Sequence, residues 1–320
     1  EPLLGEEKEN IQLLALKAAR NSLTSQEFLQ AVGPLVDDKD KKVRLYIARN
    51  IPMAQSETTV DILRRLSRDS VADIAVLAIT KLLRLNELED VSTLKKLLKE
   101  PSLDSAIGVK AIRVLGLSGA SGVKLLEHLL ESGRSRFRAT AMRMLGRIQP
   151  EKLTIEELSA YLSDPSKKVR EVAIRLLRRK EGFNRRQLKD LAGAEHAEVR
   201  RFAVNATGSL SEKKAVSLLL KFLPDDNPNV RAAVIRQFAE RQLQGWQDIL
   251  RRSLNEESET VRHTAIKVLL ENRNEETSEI LKRHMRKSES NELRKAIKRY
   301  LQQKRQRNNK TKRIPLGTDR

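Results

Sequence analysis

Apolar residues recur along this chain at helical spacing, and that helical pattern itself returns roughly every 31 residues. The clearest copy is 164–178, DPSKKVREVAIRLLR, where Val169, Ala173, Ile174 and Leu177 fall at i, i+4, i+5 and i+8 on one face of a helix. Asp164 is of a type that caps helix N-termini, and Pro165 suits a first turn because its missing N–H would be unpaired there. With Val169 as position zero, the equivalents are Ile11, Val43, Ile74, Ile107, Phe137, Val199, Val230, Val261 and Leu293, spaced 30 to 33 residues apart. Position +4 is Ala in seven of the ten copies, at residues 15, 78, 111, 141, 173, 203 and 265, which lets neighbouring helices approach closely. Position +8 is mostly large and apolar, as in Ile51, Leu82, Leu115, Leu145, Leu177, Phe238, Leu269 and Leu301. So steady a period is the mark of a stacked repeat architecture.

Ahead of nearly every copy lies a second apolar helix, as in 60–66, 91–98, 124–130, 155–162, 215–223 and 280–285. The unit is helix A, a short turn, helix B. Turn residues separate the two in Asp37-Asp38-Lys39-Asp40, Asp164-Pro165 and Asp225-Asp226-Asn227-Pro228, and Gly116, Gly146 and Gly208 suit the C-termini of B helices. Residues 116–122, GLSGASG, have neither a preceding strand nor a following Lys-Ser/Thr, so they read as a helix-to-helix turn rather than a phosphate loop. No strand pattern competes. The expected fold is all-α, a right-handed α-solenoid of about nine to ten helix pairs over residues 1–301, in which stacking buries the faces that a single pair leaves open. Residues 302–320 lose the apolar period and read as a basic C-terminal tail.

The D-P-x-x-x-V-R-x-x-A-I-x-x-L pattern of residues 164–177 resembles the HEAT-like repeat family. The short period is similar to the compact repeats of phycobilin-lyase-type HEAT repeat proteins, and the resemblance covers about residues 7–301. It implies the fold and leaves the task open, because this fold carries many functions. The first B helix, from about residue 7 to 20, has only EPLLGE before it, too short for a helix A. That half-unit reads as a cap or as the cut edge of a longer protein, and a start at Glu1 suggests a processed or truncated N-terminus.

Charge narrows the partner class. The chain carries 63 Lys and Arg against 43 Asp and Glu, a net charge of +20. The balance is uneven, with residues 1–40 at net −4. An excess of this kind points to an anionic partner. The absence of cysteine removes disulfides, thiolate metal sites and a Cys nucleophile, and fits a reducing, cytoplasmic setting. No signal peptide is visible, and no apolar run is expected to approach the ~20 residues of a membrane span.

Two basic series follow the repeat. Position +1 is Arg at 44, 138, 170, 200, 231, 262 and 294. It sits about 100° from zero, at the edge of the buried face. In HEAT-like repeats the equivalent Arg pairs with the Asp of an adjacent turn, so this series is expected to tie units together. Position +6 holds Lys17, Arg49, Arg113, Arg143, Arg175, Arg236, Lys267 and Arg299, with Thr80 and Asn205 as exceptions. Basic residues make up 63 of 320, so chance would place about two in ten such positions. Position +6 lies nearly opposite the buried face, and the resemblance implies that B helices line a concave groove. This ladder, with Lys304, Arg305, Arg307, Lys310, Lys312 and Arg313 of the tail, forms the candidate binding set.

Candidate chemistry is sparse. His128, His196, His263 and His284 share no repeat position, and the His-Glu pairs with which deoxyhypusine hydroxylases, a HEAT-like family, hold iron do not occur. Asp225, Asp226, Asn227 and Asn229 lack the spacing of an EF-hand. Trp246 with Asp248 is the one pair reminiscent of HEAT-like DNA glycosylases, and Trp246 is better explained by packing between units. No catalytic residue, metal site or cofactor is expected. The reading is a scaffold or adaptor for an acidic protein held along the basic groove, with binding of a nucleic-acid backbone as the alternative and a lyase- or glycosylase-like enzyme behind both.

Overall fold

The computed structural model describes residues 4–87, 91–271 and 275–287. Among them the chain is helical throughout, without a strand, and the helices alternate between the two types expected. In chain order they are α1 Leu4–Ser22, α2 Ser25–Val32, α3 Lys41–Asn50, α4 Glu57–Leu66, α5 Ala72–Arg84, α6 Ser92–Leu97, α7 Ser105–Val114, α8 Gly119–Leu129 and α9 Ser135–Ile148. They continue with α10 Ile155–Ala160, α11 Lys167–Leu177, α12 Arg185–Ala192, α13 Ala197–Ala206, α14 Glu212–Leu219, α15 Pro228–Glu240, α16 Trp246–Ser253, α17 Glu259–Glu271 and α18 Glu275–Lys287. Odd numbers are B helices carrying position zero, and even numbers up to α18 are A helices. Leu293 and the tail from 302 lie outside the described residues.

The chain divides into two compact units, Glu1–Leu177 and Arg178–Arg320. In the first, α1, α3, α5, α7, α9 and α11 stack side by side, each against the next, with α4, α8 and α10 packed on the B helices that follow them. In the second, α13, α15 and α17 stack in the same way, with α12 on α13 and α16 on α17.

The repeat positions explain this packing. From α3 to α17 every residue at zero is buried, from Val43 to Val261, and so is every residue at +4, from Ile47 through Ala78, Ala111, Ala141, Ala173 and Ala203 to Val234 and Ala265. Position +5 is buried as well, as Ala48, Ile79, Ile112, Met142, Ile174, Val204, Ile235 and Ile266. Within each unit a B helix thus meets the B helices beside it, and α5, α9, α11, α13 and α17 also meet the A helix before them; each large apolar side chain so enclosed contributes about 1.5–3 kcal/mol. Three A helices start with reciprocal capping boxes, Thr24 with Glu27, Thr154 with Glu157 and Asn184 with Gln187.

Two details differ from the sequence reading. Asp164 and Pro165 precede α11 rather than opening it. The helix begins at Lys167, its first backbone bonds go to the Ser166 carbonyl, and the Asp164 carboxylate instead accepts the Ser166 N–H at 2.8 Å. Pro228, by contrast, is the first residue of α15, behind the capping side chain of Asn227. Second, Ser105–Leu129 is by length and composition apolar enough to cross a membrane. It comprises α7, a 3-10 turn at Leu115–Ser118 and α8, with Gly119 at φ 55°, and its Ile107, Ala111, Ile112, Leu125 and Leu126 are buried within the protein. Residues 116–122 therefore are the helix-to-helix turn expected of them.

Candidate binding surface

The +1 arginines build the frame beneath any binding surface. Arg44 donates from Nε to Asp69 Oδ2 at 2.7 Å and from Nη2 to Oδ1 at 3.1 Å, while its Nη1 reaches the Asp38 carbonyl at 2.6 Å. Arg138 holds Asp164 in the same two-pronged way at 2.9 and 2.8 Å, Arg200 holds Asp225 at 2.7 and 2.9 Å, and Arg231 holds Glu256 at 3.1 Å through both nitrogens. Each carboxylate stands five residues before the next position zero, so one guanidinium joins its own A–B turn to the following one. Gln12 serves the same place in the first unit, donating to Asp38 Oδ2 at 3.0 Å. Arg170 is buried and donates to the carbonyls of Asp164 and Pro165, and Arg262 to those of Glu256 and Glu257. Arg294 lies outside the described residues. The fork geometry of guanidinium suits this joint, as lysine would not.

The carboxylates are tuned by the same contacts. Burial alone would raise the pKa of Asp164 and Asp225, but hydrogen bonds from Arg138 or Arg200, a backbone N–H and the nearby positive charges outweigh it, and both sit below the ordinary carboxylate range. Asp225 also accepts the Asn227 N–H at 2.9 Å, so the Asp/Asn run at 225–229 is accounted for as a turn.

The +6 series behaves differently. Lys17, Arg49, Arg113, Arg175, Arg236 and Lys267 are exposed, and Arg143 is half-buried. In the first unit, Arg113 on α7, Arg143 on α9 and Arg175 on α11 stand on three successive stacked helices. Burial, and then the charges of Arg175 and Arg113, push the Arg143 pKa down, and its buried Nε has no hydrogen-bond partner. Three like charges therefore converge there. In the second unit Arg236 and Lys267 stand on adjacent helices, and Lys267 lies 3.8 Å from Glu271. Arg299 and the tail cations Lys304, Arg305, Arg307, Lys310, Lys312 and Arg313 lie outside the described residues.

The regularity breaks at Thr80, which is buried at +6 of α5 because its hydroxyl bonds back to the Val76 carbonyl at 2.6 Å and needs no water. One residue on, Lys81 donates to the carbonyls of Arg49 and Ile51 at 3.0 and 2.9 Å, closing the C-terminal end of α3. Burial, followed by the charges of Arg84 and Arg20, lowers its pKa to about 8.

Sequence reasoning missed part of this face. Arg136 and Lys168, at −1 of α9 and α11, and Arg147 near the end of α9 are exposed. Position −1 lies about 20° from +6 on a helical wheel, so the same projection would have found two of them. Leu117 is an exposed apolar side chain of the same unit, and Ile148 lies where a side chain on Gly116 would touch it at 3.4 Å. The other candidates separate. Trp246 is buried at the start of α16 while Asp248 is exposed and paired with Arg251, so the two share no pocket. Among the described residues no three His, Asp or Glu side chains gather as a metal site would require.

Three overlapping segments, 92–178, 155–227 and 216–302, match the family profile described as HEAT repeats. No curated protein sequence matches the chain. Among solved structures, human deoxyhypusine hydroxylase in complex with glycerol is 18% identical, over 79% of this chain and 98% of that one, with a TM-score of 0.30. A structure concerned with tubulin recruitment by microtubule polymerases with tumor overexpressed gene (TOG) domain arrays is 13% identical, over 80% and 84%, at 0.30. An engineered protein is 21% identical, over 74% and 96%, at 0.24. The matched segments cover well over half of the chain and coincide with helix pairs that stack in the expected register, and the chain belongs to the HEAT-repeat family.

Proposed function

We propose that this HEAT-repeat protein is a non-catalytic scaffold that holds an acidic protein partner along the exposed face of its B helices, centred on α7, α9 and α11. The observation that carries the reading is the convergence of Arg113, Arg143 and Arg175, with a buried Arg143 Nε that lacks a hydrogen-bond acceptor. Holding like charges together costs free energy that a protein recovers when an anion arrives. Arg136, Arg147 and Lys168 extend the positive face, against Glu171 as an exposed acid on α11. Phe137, the aromatic of α9, is fully buried and supplies no platform on which bases could stack.

Charge reversal tests this. Arg143→Glu with Arg175→Glu is expected to weaken binding of an acidic helical peptide by at least about tenfold with unchanged circular dichroism, since a close pair of opposite charges across an interface is worth upwards of about 1 kcal/mol. Unchanged affinity would remove the face from consideration. The same titration with a 20-bp duplex separates the alternative: binding to a phosphate backbone falls steeply and log-linearly with salt, whereas a mixed apolar and ionic protein interface falls less.

A further inference from the structure

Two glycines draw α7, α9 and α11 together toward their C-terminal ends. A Cβ on Gly146 of α9 would lie 2.6 Å from Leu176 Cδ2 of α11, and one on Gly116, just past α7, would touch Ile148 of α9 at 3.4 Å. Arg113 and Arg143 each stand three residues before one of these glycines, and Arg175 immediately precedes Leu176. The close approach therefore gathers the three cations, and the charges of Arg113 and Arg175 both act on Arg143. The +1 arginines have acids or turn carbonyls as partners, whereas among the described residues no carboxylate pairs with any of these three. The cluster is also bounded on one side, because α5, stacked against α7, carries the buried Thr80 at +6.

We propose that Arg113, Arg143 and Arg175 form a seat for one phosphoryl group, a phosphoserine or phosphothreonine carried by the acidic protein partner. The inference rests on the scaffold reading above and narrows the chemistry of its partner. A carboxylate brings one charge and two oxygens, enough to engage one guanidinium fork. A row of carboxylates suits cations kept apart at the ~10 Å spacing of stacked helices, each neutralised singly. Cations drawn together need more charge in less space. A phosphomonoester brings about −1.5 to −2 charge and three acceptor oxygens on one phosphorus, so three guanidiniums can donate to it at once. A nucleic-acid backbone offers one charge per phosphate and asks for a line of cations, which Thr80 interrupts. Arginine clusters are the general means of reading phosphorylated segments, and the planar fork is what they use.

Fluorescence anisotropy with the full chain tests this, using one acidic peptide with phosphoserine, glutamate or serine at a single central position. The phosphoserine peptide is expected to bind at least about tenfold more tightly than the glutamate peptide. Arg143→Gln should remove most of that margin, while Lys214→Gln, the same loss of charge at an exposed site on α14, should leave it intact. Arg175→Lys keeps the charge and loses the fork, so it should cut the margin several-fold with unchanged helicity and little effect on the glutamate peptide. Equal affinity for the phosphoserine and glutamate peptides, both weakened by Arg143→Gln, would overturn the phosphoryl seat and leave the acidic-partner scaffold standing. Failure of all three peptides to bind would overturn both. Inorganic phosphate binding as tightly as the phosphoserine peptide, or a 20-bp duplex binding more tightly and losing affinity with Arg143→Gln, would assign the cluster to another ligand and overturn the proposal.

Discussion

Replacing Arg200 by methionine is expected to lower the stability of the protein by about 2–3 kcal/mol, toward the lower end of what breaking a buried ion pair costs. The side chains of Arg200 and Asp225 are 18% and 6% exposed, so the carboxylate left behind cannot recover full hydration. The companion variant, Arg200→Met with Asp225→Asn, is expected to regain a large part of the loss. The amide oxygen still accepts the Asn227 N–H, and no buried charge is stranded. Urea denaturation followed by helicity reads both. If the double variant were no more stable than the single one, the cost would lie in lost arginine packing rather than in the stranded carboxylate. The pH dependence has a definite sign. Asp225 has a folded pKa below its unfolded one, so its contribution is present above the unfolded value near 4 and fades as pH falls through the folded value. Wild type and Arg200→Met should therefore converge in stability under acid.

That joint shows how much could be read before the structure. A run of arginines at one repeat position suggests a phosphate ladder to the eye; the wheel angle placed it at the edge of the buried face, the HEAT-like resemblance implied its pairing with an adjacent turn, and the structure adds that the acids stand five residues ahead of the next position zero. The register from Val43 to Val261 was legible because burial alternates with helical period, and stacking repeats that demand at every unit. Exposure at +6 was legible for the same reason, except at Thr80, which is buried, and at Arg143, which is half-buried. A hydroxyl can satisfy itself within its own helix, and a wheel built on charge and hydropathy has no place for that. The opening of α11 was not legible because a proline shortly before a helix can lie inside its first turn or outside it. Pro228, two residues before Val230, is the first residue of α15, whereas Pro165, four residues before Val169, stays in the turn, where Asp164, like Asp225 ahead of α15, is held by an arginine of the preceding repeat.

The glycines of the 108–122 region carry the other large expectation. Gly122→Ala should destabilise the protein by about 2 kcal/mol net, despite the gain of about 1 kcal/mol in intrinsic helix propensity. A methyl group there would overlap the carbonyl oxygen of Leu115, where the 3-10 turn folds back onto the first turn of α8. That obstacle is backbone, which cannot rotate aside, so relief requires moving the turn or the helix start. Gly108→Ala meets a different obstacle, the ring of Phe137, with Cε1 at 2.8 Å. Gly108 occupies the +1 place that arginine fills in seven other copies, and its bareness is what allows the largest of the position-zero side chains to be fully buried in α9. Pushing that ring out of a packed core should cost a similar amount. Gly133→Ala is the control, because nothing lies within 4 Å of its added carbon and its φ is not positive, so it should be neutral or stabilising by up to about 1 kcal/mol. Melting temperatures of the three variants should fall in that order of severity, with the first two well below wild type and the third at or above it. Equal melting temperatures would mean that the turn at 115–118 yields easily. GLSGASG would then owe its glycines to general turn preference rather than to the close approach of α8 to the backbone before it.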